Sequence, residues 1–235
     1  MTEKSSISFL ETNYRDIKSR FDAAVNKSGR KDGEVILLAA TKTVAPEIIN
    51  EAIRLGVTHI GENRVQEFLS KNDEVTKNVT RHFIGHLQTN KVKDIVGKVS
   101  MIESVHSLKL AREIGKCSEK LGITTDVLVE INIGGEESKS GFSPDEIDAA
   151  IDEMSTIRGI RIRGLMCIPP ICEERLKVRE YFNRMHKLFI DIGLKKRDNV
   201  SMEFLSMGMS SDFEDAIECG SNLVRVGTAL FGKRN

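Results

Sequence analysis

The chain carries almost no net charge: 35 lysines and arginines are balanced by 35 aspartates and glutamates. No overall field therefore draws it to nucleic acid or to an anionic membrane. Aromatic residues make up 5% of the sequence. No basic stretch is interleaved with them, so a base-stacking surface is not expected. Cysteine is scarce as well. Cys117, Cys167, Cys172 and Cys219 form no CxxC pair and no regular framework, which points to reduced thiols rather than a disulfide scaffold. No apolar run approaches the roughly 18 to 20 residues that cross a bilayer. The opening "MTEKSSISFLETNY" has no apolar signal core, and a soluble, cytoplasmic protein is the expectation. A P-loop, a GxGxxG turn and an ordered Ser/His/Asp set are missing too. His82 and His86 are four apart, but Gly85 lies between them at a strand end, so they do not share a helical face as a zinc pair would. No metal site is expected.

What the sequence does have is alternation. Its 235 residues, 40% of them hydrophobic, suit one α/β barrel with a sizeable core. Apolar residues at Ile7, Leu10, Tyr14, Ile17, Phe21 and Val25 lie at helical spacing. Short strand-like runs follow at 35–40, 57–61, 82–85, 100–103, 126–132, 161–166, 202–204 and 223–226. Helical segments separate them near 46–54, 63–76, 88–96, 107–121, 144–154, 173–192 and 211–218. This order predicts a parallel sheet with right-handed crossovers, and eight strands close a (β/α)8, or TIM, barrel. The N-terminal helix would cover the outer gap after Phe231. An open doubly wound sheet is the competing fold. No repeat or linker interrupts the chain, so residues 1–235 are expected to form a single domain.

In such a barrel the carboxyl ends of the strands form the chemical face. The joints there are polar: Thr41 and Lys42, "GENR" at 61–64, "GHLQTNK" at 85–91, "LSMGMSSD" at 205–212 and "RVGTALFG" at 225–232. A lysine at the end of an inner strand is expected to be partly desolvated, which frees its amine to attack a carbonyl. A stem lying along the rim, with its ammonium in water, accounts for the position equally well. The Gly/Ser joints after the last two strands suit a phosphate. Ser210 or Ser211 ahead of Asp212 and Glu214 also reads as a helix N-cap. Arg225 ends the eighth strand, beside the first on a closed barrel, and Glu203 is a possible carboxylate partner for it. Lysine, arginine and phosphate joints together describe a site for a phosphorylated aldehyde, and a Schiff-base aldolase fits those three features.

Seven motifs in order carry a resemblance: "ATKT" at 40–43, "GENRVQE" at 61–67, "HFIGHLQTNK" at 82–91, "ESKSGF" at 137–142, "GLMCIPP" at 164–170, "LSMGMSSDFEDAI" at 205–217 and "RVGTALFG" at 225–232. The chain resembles the pyridoxal phosphate homeostasis proteins, whose barrel is that of the alanine racemase N-terminal domain. The resemblance implies pyridoxal 5′-phosphate (PLP) as cofactor, held as a Schiff base on Lys42. It places Asn63 at the cofactor's border, Met207 against the ring, Ser206, Ser210, Gly227 and Thr228 at the phosphate, and Arg225 at the pyridine nitrogen. A cation there disfavours protonation of the nitrogen and weakens the electron sink. The implied role is therefore buffering PLP or delivering it to apo PLP-dependent enzymes, by a monomer without strong catalytic activity. A PLP-dependent amino-acid racemase is the alternative. Racemases with this barrel draw a tyrosine base from a second domain, whereas Tyr14 and Tyr181 fall in outer helices and the chain ends three residues after Gly232. Many members of the family have a second lysine two residues after the first. Here that position is Val44, and Lys139 and Lys233 are the basic groups expected near the mouth.

Overall fold

The strand-like runs are short, and the first, Val35–Ala40, is wholly apolar, the pattern of a sheet covered on both faces. In the computed structural model, which describes residues 3–232, they are β1 (Ile36–Ala40), β2 (His59–Glu62), β3 (Thr80–Phe83), β4 (Met101–Val105), β5 (Thr125–Ile131), β6 (Ile160–Cys167), β7 (Val200–Met209) and β8 (Leu223–Val226). All are parallel. They close in sequence order, with Leu38 of β1 level with Arg225 of β8 and Ala40 level with Gly61 of β2. Closure rules out the open doubly wound sheet.

The outer ring contains α2 (Pro46–Arg54), α3 (Val65–Lys71), a 3-10 segment (Thr89–Asp94), α4 (Leu108–Leu121), α5 (Ile147–Ser155), α6 (Arg175–Gly193), α7 (Phe213–Glu218) and the single turn α8 (Thr228–Phe231). A long first helix, α1 (Glu3–Lys27), closes the gap left by that short final turn. Its buried Leu10, Ile17 and Phe21 pack into the same apolar layer as Phe213, Ile217 and Leu230. Arg20 to Glu214 at 2.8 Å and Lys27 to Glu218 at 2.7 Å fasten its outer side. No helix among the described residues is long and apolar enough to cross a membrane. Lys233 lies outside the described residues.

Two differences from the sequence reading matter for the site. The third strand starts earlier, at Thr80, and leaves Gly85 beyond its end. The seventh extends to Met209, five residues past the expected Phe204. That extension has a physical cause: the barrel interior accepts polar residues, so Ser206 and Gly208 break the apolar run without ending the strand.

Candidate functional site

The carboxyl ends of the strands open on a cleft of about 650 Å³. Lys42, Asn63, Ser210, Arg225, Gly227 and Thr228 line it together, joined by Ala40, Ile84, Ile168, Met209, Ser211 and Ala229. Lys42 stands two residues beyond the end of β1 and is exposed. It makes no hydrogen bond or ion pair among the described residues. Its amine stands in the open mouth, so the desolvation expected from its position is not found. Its neighbours are held firmly. Thr41 is fully buried, and its hydroxyl donates to Glu62 and, at 3.2 Å, to the Gly61 carbonyl. Thr43 has φ of 59°, a left-handed conformation that β-branched side chains avoid. Its N–H donates to Glu67 Oε1. Val44, where a second lysine would stand, is buried in the apolar layer beneath α1 and α2.

Across the cleft the joints after β7 and β8 are stitched by one hydroxyl. Ser210 Oγ accepts from Gly227 N at 3.1 Å and from Ala229 N at 3.2 Å. This bond replaces the N-cap role considered for Ser210; Asp212 stands at the N-cap of α7. Asn63 reaches the cleft from the joint after β2. Its Oδ1 is buried without a partner. Gly85 supports that joint, because a Cβ there would meet the Asn63 carbonyl oxygen at 2.1 Å.

Arg225 points inward from β8 and is buried. Its Nη2 donates to the Cys167 carbonyl at 2.9 Å, and its Nη1 donates to Ser206 Oγ and lies 3.9 Å from Glu103 Oε2. Ser206 in turn donates to Glu103 Oε2 at 2.6 Å, and His82 Nδ1 is 2.6 Å from Oε1 of the same carboxylate. Burial pushes Glu103 up, but the bond and charge of His82, the charge of Arg225 and the Ser206 bond outweigh it, leaving the carboxyl below its usual range. Burial pushes Glu130 up, and the charge of Arg225 only partly opposes that. The guanidinium is therefore balanced by Glu103 inside the barrel. Glu203, the partner considered earlier, faces outward to Arg163 and Ser201. Burial pushes the Cys167 thiol up to about 12, so it is no nucleophile at neutral pH.

Two expected site residues lie elsewhere. Ser206, expected at a phosphate, is fully buried below the cleft with its hydroxyl engaged by Glu103 and Arg225. Met207, expected against a ring, packs in the layer between barrel and helices with Phe182 and Met185. Both sit inside the longer β7, where side chains alternate between faces. Met209 is the methionine that reaches the cleft.

A family model described as alanine racemase, N-terminal domain, matches residues 10–235. A pyridoxal phosphate homeostasis protein of Aquifex aeolicus is 44% identical over 219 residues, covering 93% of this chain and 95% of that one. The chain belongs to the pyridoxal phosphate homeostasis protein family. A crystal structure of a protein from Bifidobacterium adolescentis superposes on this family member with a TM-score of 0.92, at 35% identity over 98% of this chain and 97% of that chain. PipY of Synechococcus elongatus, solved with PLP bound, gives 0.82 at 28% identity over 95% and 100%. In this homeostasis-family barrel the two tyrosines stay away from the cleft. Tyr14 lines a separate surface hollow beside Arg54 and Leu55, and Tyr181 packs on the outer core.

Proposed function

We propose that the protein, acting as one barrel domain, binds PLP reversibly in this cleft through Lys42 and stores or delivers it. One observation carries the reading: an unpaired lysine amine shares a cleft with the Ser210–Gly227 joint and a buried arginine. When bound, PLP supplies an aldehyde that a primary amine takes up with loss of water and returns on hydrolysis. The side chains present fit such a group. The Asn63 oxygen lacks a partner, and Ser210, Ser211 and Thr228 offer hydroxyls for a phosphate. Arg225 brings a cation that its Ser206 and Cys167 bonds hold in place for the pyridine nitrogen. That cation disfavours a protonated ring nitrogen and so favours storage over carbanion chemistry.

The racemase reading needs a second base. Among the described residues, Lys42 and Arg225 are the ionisable side chains lining the cleft. Equilibrium dialysis tests the proposal: one PLP per chain should bind, and a carbonyl scavenger outside the membrane should draw it off. No saturable binding would overturn it. Loss of the α-deuterium from labelled amino acids, faster than with free PLP, would favour the racemase instead. As a cytoplasmic monomer handing PLP to apo-enzymes, the protein would need this open cleft, with Lys42 exposed at its mouth.

A further inference from the structure

We infer that Lys71 is a positioning residue whose buried ammonium fixes the 41–44 turn and thereby the direction in which the Lys42 amine enters the cleft. The inference deepens the PLP reading and rests on it.

Lys71 ends α3, yet its side chain is buried rather than extended into water. Its Nζ lies 2.8 Å from the Thr41 carbonyl oxygen and 3.3 Å from that of Val44. Glu62 Oε1 at 2.7 Å and Glu67 Oε1 at 3.0 Å complete the shell. One ammonium thus grips the turn immediately before Lys42 and two residues after it. Both carboxylates also hold the turn themselves. Glu62 accepts from the Thr41 hydroxyl and Glu67 from the Thr43 N–H. Residues 41, 43 and 44 are each tied to this ion cluster, and Lys42 alone is left free.

A surface staple would not need such a cluster, because exposed ion pairs hold loosely. Here the backbone being held is unfavourable. Thr43 is left-handed, and such a conformation persists only where its surroundings over-determine it. Releasing the clamp lets Thr43 return to an ordinary conformation, which turns the chain at its neighbour Lys42. None of Lys71, Glu62 and Glu67 lines the cleft, so they act on Lys42 through the backbone. Orientation is what an amine attacking an aldehyde needs, since a poorly directed nucleophile loses its effective concentration.

Lys71→Met alone strands the buried Glu62 charge and can unfold the protein. The test therefore uses the double variant Glu62→Gln/Lys71→Met, which removes the charge pair together and leaves Lys42 intact. In the PLP-free protein, amide exchange at Thr43 should be at least tenfold faster than in the unaltered chain. With PLP, the borohydride-sensitive absorbance should form at least tenfold more slowly and with at least tenfold weaker affinity. Met154→Ala, a buried change in the outer core, supplies a stability control. Matched to the double variant in urea midpoint, it should keep the rate and affinity of the unaltered protein. Equal rates, affinities and Thr43 exchange in the double variant and the unaltered chain would overturn the inference alone. Equal losses in Met154→Ala would reduce Lys71 to a structural residue and overturn it too. An unaltered protein that forms no such absorbance removes the PLP reading, while Thr43 exchange still decides whether the clamp exists.

Discussion

Replacing Gly85 by alanine sets a methyl group against backbone on the wall of the cleft. The added Cβ would stand 2.1 Å from the Asn63 carbonyl oxygen and 2.5 Å from its Cα. Ordinary contact begins near 3.4 Å, so the segments must part by 3.4 − 2.1, or about 1.3 Å. Neither segment gives easily. Ile84 N donates to the Glu62 carbonyl at 2.9 Å, and Ser104 Oγ donates to the Gly85 carbonyl at 2.5 Å. Overpacking of this kind costs about 1–3 kcal/mol, and loss of the two hydrogen bonds adds about 1 kcal/mol each. We expect Gly85→Ala to lower the unfolding free energy by about 3–5 kcal/mol in urea titration with an unchanged m-value. PLP affinity should fall with it, because Asn63 is carried on the displaced segment. Gly193→Ala is the control. Its nearest contact is a side-chain atom, Met202 Cβ, at 3.3 Å, so the change should stay within about 1 kcal/mol. A Gly85→Ala protein within about 0.5 kcal/mol of the unaltered chain would refute the reasoning.

Ser210→Ala removes the acceptor shared by Gly227 N and Ala229 N. It should cost about 1 kcal/mol in urea unfolding and about tenfold in PLP affinity by dialysis, and unchanged affinity would detach this joint from the site. His59 governs an acid limb of stability. Burial, followed by the charge of His82, pushes its imidazole down to about 4, against about 6.5 in an unfolded chain. As pH falls through that window the unfolded state takes up the proton first, so stability is lost between about pH 6.5 and pH 4. Its ring is partly exposed, so screening limits the loss to about 1 kcal/mol. Urea midpoints at neutral and at mildly acid pH should differ less in His59→Gln, and an unchanged difference would contradict the assignment.

Much of this barrel is legible in the sequence, for reasons that also mark where legibility stops. The second helix begins at Pro46 as expected, because a fixed φ and a missing N–H suit the first helical position. The eighth strand spans its expected residues because Leu223, Val224 and Val226 form an apolar run that Arg225 alone interrupts. The end of the seventh strand, beyond Phe204, was hidden since its inward positions face a polar interior, where Ser206 serves Arg225 and Glu103 rather than the core. The resemblance put Ser206 and Met207 into the expected site, whereas the strand's full length carries Met209, not these two, to the cleft. Lys71 carried no signal, because a cation in the last turn of a helix is ordinary dipole complementation. Only the fold brings it under the turn that follows Thr41. Glu62 and Glu67 lie in the quoted "GENRVQE" motif, yet spacing alone does not reveal that they share an ammonium.

The most direct test of the central claim is borohydride reduction of the PLP-loaded protein followed by peptide mapping. The label is expected on Lys42, with none fixed in Lys42→Ala. A label on Lys71, Lys91 or Lys139 instead, or a Lys42→Ala protein that still fixes PLP at one site per chain, would contradict it.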